Sequence, residues 1–217
     1  MKSPHFPWVA PMVLLLAFLP LRGMIGPLEY PLQVAVLSAF LWWSSRHIIS
    51  FKTVNLLGSI ALGTAVFFLW IGPDVLIPGW RAHWLFSNSI VGQPGSTVAP
   101  EWRSDWLVLI SRTIKAAVLV AIIEELFWRG WLMRWLIKPE FESIPLGTYG
   151  VQAFWGVAVL FAFEHGSYWE VGLLTGIVYN WWMIRTKSLG DMFVVHGVTN
   201  LLLSLYVIFY GQWQYWS

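Results

Sequence analysis

Seven apolar runs, five of their six junctions short or moderate and one long and polar, constrain this chain before anything else does. They are Phe6 to Leu21, Pro31 to Ile49, Val54 to Ile77, Ala116 to Ile137, Ile144 to Phe163, Tyr168 to Ile184 and Gly190 to Tyr210. About 20 helical residues cross the hydrocarbon core of a bilayer, and runs of this length are read as spans. Composition removes the soluble alternative. Of the 217 residues 58% are hydrophobic and 11% are charged, with a mean hydropathy of +0.64. That is too little charge to cover a soluble surface. The expected fold is all-α: a polytopic transmembrane helical bundle of about seven spans. Residues 1–217 are expected to form a single integral membrane domain, with N-terminal spans and a loop in 1–106 and the core helices in 107–210.

The connections give an orientation. Lys2, Arg46, Lys52, Arg134, Lys138, Arg185 and Lys187 fall on one side, and Arg22, Arg81 and Arg103 on the other, with Arg112 and Lys115 near the second. The positive-inside rule then puts the N-terminus in the cytoplasm, and a lone Lys2 without a small-residue cleavage site predicts an uncleaved first span. Pro78 to Trp106 is the long connection, with Gly92 to Pro100 expected as a solvent loop and Arg112 and Lys115 as an interfacial approach to the fourth span. A net charge of +2, scattered along the chain, argues against nucleic acid. No cysteine is present, which removes disulfides, cysteine-bound metal and a thiol nucleophile. Several of the 17 tryptophans (Trp8, Trp42, Trp43, Trp80, Trp102, Trp106) sit where apolar runs end and read as an interfacial belt.

Inside the fourth run stands Glu124-Glu125-Leu126-Phe127-Trp128-Arg129. Insertion scales charge roughly 2.5 to 3.5 kcal/mol for each such residue at a helix centre. At about 100° per residue, Arg129 lies about 40° from Glu125 and about 140° from Glu124. Glu125 and Arg129 are therefore an i, i+4 pair, and Glu124 has no local partner. Two further polar sets sit in apolar surroundings: His165, four residues after Phe161, and His196 with Asn200, one turn apart on one face of the seventh span. One such histidine alone is ordinarily a helix-packing hydrogen bonder. A Glu, two His and an Asn on three apolar helices, if their faces converge, make a functional cluster. Gly172, Gly176 and Asn180 form a small-residue stripe expected to serve close packing, with Asn180 bonding across the contact. Glu29, Asp74, Glu101, Asp105, Glu140 and Glu142 are expected in solvent.

The order E-E-x-x-x-R, F-x-x-x-H, H-x-x-x-N resembles the CPBP (Abi) family of membrane endopeptidases, the Rce1-like relatives of CAAX prenyl proteases. The three motifs here are Glu124-Glu125…Arg129, Phe161…His165 and His196…Asn200, and the likeness covers about Ser111 to Leu205. It implies a glutamate-type intramembrane endopeptidase acting on a membrane-associated or lipidated peptide or protein. By that likeness Glu124 with His165 activates a water, His196 and Asn200 stabilise the oxyanion, and Glu125 with Arg129 supports the site. No cofactor is implied. A zinc ion on Glu124, His165 and His196 is an alternative, but no H-E-x-x-H is present. A proton or ion carrier, or a non-catalytic scaffold or immunity protein, could use the same cluster. Straight spans would leave His165 and His196 on the order of 15 to 20 Å apart in depth. A tilted, short or broken fifth span must close that gap, and Gly166 is the expected break.

Overall fold

A computed structural model describes residues 3–216, so Lys2 in the charge count lies outside the described residues. Among the described residues there is no strand, and seven longer helices carry the fold. They are α1 (Phe6–Ala17), α2 (Glu29–Ser45), α3 (Leu56–Leu76), α4 (Trp106–Trp135), α5 (Val151–Glu164), α6 (Trp169–Thr186) and α7 (Leu189–Tyr210). Three of them, α3, α4 and α7, are long and apolar enough to cross a membrane by length and composition. The chain is an all-α membrane bundle. Helix α4 runs through its middle, packed against α1, α2 and α7, and the two most extensive contacts are the antiparallel one of α5 with α6 and the parallel one of α3 with α7.

Small residues allow those contacts. A Cβ at Gly63 of α3 would sit 2.5 Å from the Val195 carbonyl of α7, and one at Gly176 of α6 would sit 3.0 Å from Ala158 of α5. Without a hydrophobic drive between helices in lipid, such close backbone approach and cross-helix hydrogen bonds hold the bundle. Thr199 of α7 adds one, donating to the Gly63 carbonyl at 2.9 Å. Across the Gly172–Gly176 stripe Asn180 donates to the Phe154 carbonyl at 2.7 Å, as its spacing leads one to expect.

Four expectations change. Arg112 and Lys115 do not approach α4; they are inside it, because Asp105 caps the helix at Leu107 and Val108 and the helix starts at Trp106. Helix α5 begins at Val151, seven positions beyond Ile144, because Pro145 and Gly147 (φ 71°) interrupt the approach. The segment expected as a solvent loop, Gly92 to Pro100, is docked at Thr97 and Val98, where Thr97 donates to the Trp216 carbonyl at 2.7 Å and accepts from the Tyr30 hydroxyl at 2.9 Å, and the connection before it is held as well. Arg81 pairs with Asp74 at 3.1 Å and Glu170 at 2.7 Å and lies 4.1 Å from the Tyr168 ring, while Phe86 and Val98 are buried. Glu29 and Asp74, expected in solvent, are held: Glu29 accepts from the Gly23 amide, and Asp74 accepts from Tyr215 at 2.9 Å. Burial, then the charge of Asp74, push the Tyr215 hydroxyl well above the usual phenol range, so it stays a neutral donor.

The end of the molecule opposite that loop is tied by Asp191, in the first turn of α7. It is fully buried and accepts from Val54 N at 2.6 Å, Asn55 N at 2.9 Å and Ser59 Oγ at 2.8 Å. Leu189-Gly190-Asp191 is therefore a structural tie between α7 and the start of α3. Asp191→Ala leaves two backbone amides and a hydroxyl without their acceptor. It should lower stability by at least about 3 kcal/mol, measured as thermal unfolding in detergent, since each bond to a charged group contributes about 1.5–3 kcal/mol.

Candidate active site

Helix α4 is not uniformly α-helical. Its backbone widens to π-helical turns over Lys115–Val120 and Leu126–Leu132, leaving Ala121–Glu125 as a short α segment between them. Such turns recur at functional sites, and here they bracket the two glutamates. Glu124, Glu125 and Arg129 are all buried, the last two completely.

The pair read from spacing is present: Arg129 Nη1 donates to Glu125 Oε1 at 2.9 Å. Arg129 Nε donates to Asn180 Oδ1 at 3.0 Å, and its guanidinium lies 4.7 Å from the Phe161 ring and 5.3 Å from the Tyr179 ring. Ion pair, amide and ring faces together offset much of the desolvation of a fully buried cation. The same Glu125 oxygen faces His196 Nδ1 at 2.9 Å. An oxygen that already accepts from arginine is a carboxylate, so His196 donates from Nδ1. That fixes the ring and turns Nε2 toward Glu124, whose Oε2 is 3.9 Å away. This separation is beyond a direct hydrogen bond and within the span of one bridging water.

His165 closes α5 as its C-terminal cap, and its Nδ1 donates to the Phe161 carbonyl at 2.6 Å. Its Nε2 is thereby left as an acceptor. Gly166 follows with φ 54°, a conformation that favours glycine, and the chain reverses there into α6. Gly172 of α6 lets the helix pass His165, since a Cβ there would meet the imidazole at 3.2 Å. Asn200 Nδ2 donates one hydrogen to the Ala116 carbonyl at 2.9 Å, in the first π-helical turn.

Glu124, His165, His196 and Asn200 line one cavity of about 470 Å³. The late start of α5 accounts for it: seven fewer helical residues shorten the fifth span by about 10 Å and bring His165 toward the depth of His196. Glu125 and Arg129 stand behind the cavity. Among the described residues no group of three or more His, Asp or Glu is arranged to hold a metal ion. Three features of the site escaped the sequence. Glu164 lines the cavity beside His165, and Arg22, Arg112 and Lys115 line it at its other end. A second pocket of about 370 Å³, almost wholly apolar, adjoins it through Val91 and Gly166. Arg112 and Lys115, three apart on one helical face, carried a signal for the basic wall; the rest arises from the reversal after His165.

A bundle whose polar residues converge from separate helices on one internal cavity defines a membrane protein with a buried Glu/His site. Residues 105–202, from the start of α4 into α7, match the family model described as type II CAAX prenyl endopeptidase Rce1-like. No curated protein and no solved structure matched the chain.

Removing Glu125 tests the network directly. Glu125→Ala strands a fully buried guanidinium and should lose about 3 to 5 kcal/mol of stability. Glu125→Leu with Arg129→Met should recover most of that loss in the same thermal unfolding measurement.

Proposed function

We propose that the chain is a membrane-embedded endopeptidase in which Glu124 is the general base. A water held between the Glu124 carboxylate and His165 Nε2 attacks the scissile carbonyl carbon and gives its proton to Glu124. The oxyanion that forms is stabilised by His196 Nε2 and by the second amide hydrogen of Asn200. To donate from Nε2 as well as Nδ1, His196 acts as imidazolium; with Arg129 it makes two positive charges, which the carboxylates of Glu125 and Glu124 balance until Glu124 takes the proton and the oxyanion replaces its charge. The C–N bond then breaks and the proton on Glu124 passes to the leaving nitrogen, giving one carboxylic acid and one amine. A carboxylate beside an imidazole is suited to this transfer, and a positioned base contributes about 10²–10⁴-fold in rate.

The observation that carries this reading is the convergence of Glu124, His165, His196 and Asn200 on a single cavity. The family match supports the reaction class, because its description names an endopeptidase. For the substrate we favour a lipidated polypeptide. The apolar pocket that opens beside His165 through Gly166 suits a hydrocarbon chain, and the family description names prenyl substrates.

The test is hydrolysis of a peptide library by the purified full-length protein in lipid. Glu124→Gln and His165→Ala should each lower kcat by about 10²–10⁴-fold while thermal unfolding is unchanged. His196→Ala should lower it by about 10²–10³-fold, the loss expected for one oxyanion donor. Full turnover by Glu124→Gln would remove the proposed base.

A further inference from the structure

His165 stands one position past the last residue of α5, where the helix no longer holds the backbone on both sides and the chain reverses at Gly166. Among the described residues its imidazole has a single hydrogen bond to protein, from Nδ1 to the Phe161 carbonyl. One such bond fixes one atom of the ring and leaves a rotation about it. Packing removes that freedom. The Phe161 ring lies against the imidazole with centroids 4.5 Å apart, and the α6 backbone passes so close at Gly172 that a Cβ there would meet the His165 side chain at 3.2 Å. A third contact comes from Trp70 of α3, which lines the same cavity. Its indole meets the imidazole edge-on, with centroids 5.2 Å apart and 60° between the planes.

Trp70 is itself pinned. Its Nε1 donates to Thr175 Oγ1 of α6 at 2.9 Å, and Thr175 is buried. The indole also stacks on the Tyr168 ring, with centroids 5.9 Å apart and 29° between the planes. Tyr168 in turn lies 4.1 Å from the Arg81 guanidinium and donates to the Gln214 carbonyl at 3.2 Å. The indole cannot swing without leaving its N–H and Thr175 unpaired. With that one N–H given to Thr175, it offers no donor to compete with water for the imidazole, so it holds His165 by shape alone. We propose that Trp70 is a positioning residue for His165, its indole keeping the imidazole Nε2 directed at the water shared with Glu124. The proposal deepens the endopeptidase reading and rests on it for the effect on turnover. It gives α3 a part in the site, although this helix precedes the stretch 105–202 that matches the family model. Through Tyr168 the docked connection at Arg81 supports the same indole.

Peptide hydrolysis by the full-length protein in lipid gives one readout. Trp70→Leu should lower kcat by about 10- to 100-fold with KM unchanged, the scale of a reacting group misplaced by up to about 1 Å. In the His165→Ala background the same change should cost nothing further, because the indole acts through the imidazole. Trp70→Phe, which keeps a ring there, should restore most of the turnover, and Thr175→Val, which frees the indole, should lose part of it. A second readout needs no substrate: the side-chain nitrogen NMR spectrum of protein labelled at histidine, with the His165 signals identified by their loss in His165→Ala. The wild type should show a single Nδ1–H tautomer at His165, and Trp70→Leu a broadened or mixed one. A rise in KM at constant kcat would make the indole a wall for substrate, and an equal loss in both backgrounds would make it a structural residue. Either result overturns the proposal, as does a His165 spectrum that Trp70→Leu leaves unchanged. If Trp70→Leu does not fold, Thr175→Val takes its place in each comparison. A wild-type protein that hydrolyses no peptide while its His165 spectrum responds to Trp70→Leu would sink the protease reading and leave the hold of the indole on His165 standing.

Discussion

A guanidinium in the middle of an apolar bundle has to be neutralised from several sides at once, and Arg129 is that group. Glu125 reaches it from one turn away on the same helix, Asn180 from α6, and the rings of Phe161 and Tyr179 from α5 and α6. Satisfying it fixes the distance between α4 and the α5–α6 hairpin. His196 then enters on the oxygen of Glu125 that Arg129 has already claimed, which brings in α7. Four helices are thus locked by one charge that no single helix could accommodate. The cavity in front of Glu124 is what remains when those four helices have been set at these distances.

Orientation of the imidazoles follows from the same economy of partners. His165 gives its Nδ1 proton to a main-chain carbonyl of its own helix, and His196 gives its own to a carboxylate. Both rings therefore turn the other nitrogen inward. One histidine is tuned by a neutral acceptor and the other by a charged one, so two chemically identical side chains are prepared for different parts in the same space.

What could be read from the sequence was whatever helical periodicity alone determines. The i, i+4 relation of Glu125 to Arg129, the shared face of His196 and Asn200, and the packing stripe of Gly172, Gly176 and Asn180 all depend on one helix at a time. The bond between Glu125 and His196 spans two helices and has no signature in spacing. The docking of residues 78–105 was hidden because Gly, Pro and Ser suggest a loop in water. The opposing information, Arg81 set against Asp74, Glu170 and Tyr168, comes from two distant places in the chain. The start of α5 was placed too early for a simpler reason: Ile144 to Gly150 carries no charge to set it apart from the helix, and only Pro145, Gly147 and Gly150 mark that it is not helical.

The two wide turns of α4 bear on how this helix can change over time. Each shifts the backbone ladder by one place, so the segments before Lys115, around Glu124 and after Leu126 are rotated relative to a regular helix and address different neighbours. Single-residue insertions or deletions are ordinarily fatal to a packed helix, because they swing everything downstream by about 100°. Here such a step has in effect been absorbed twice. The cost is that side chains on either side are phased against each other, and any later length change between Lys115 and Arg129 would send the glutamates and the arginine to different walls of the bundle.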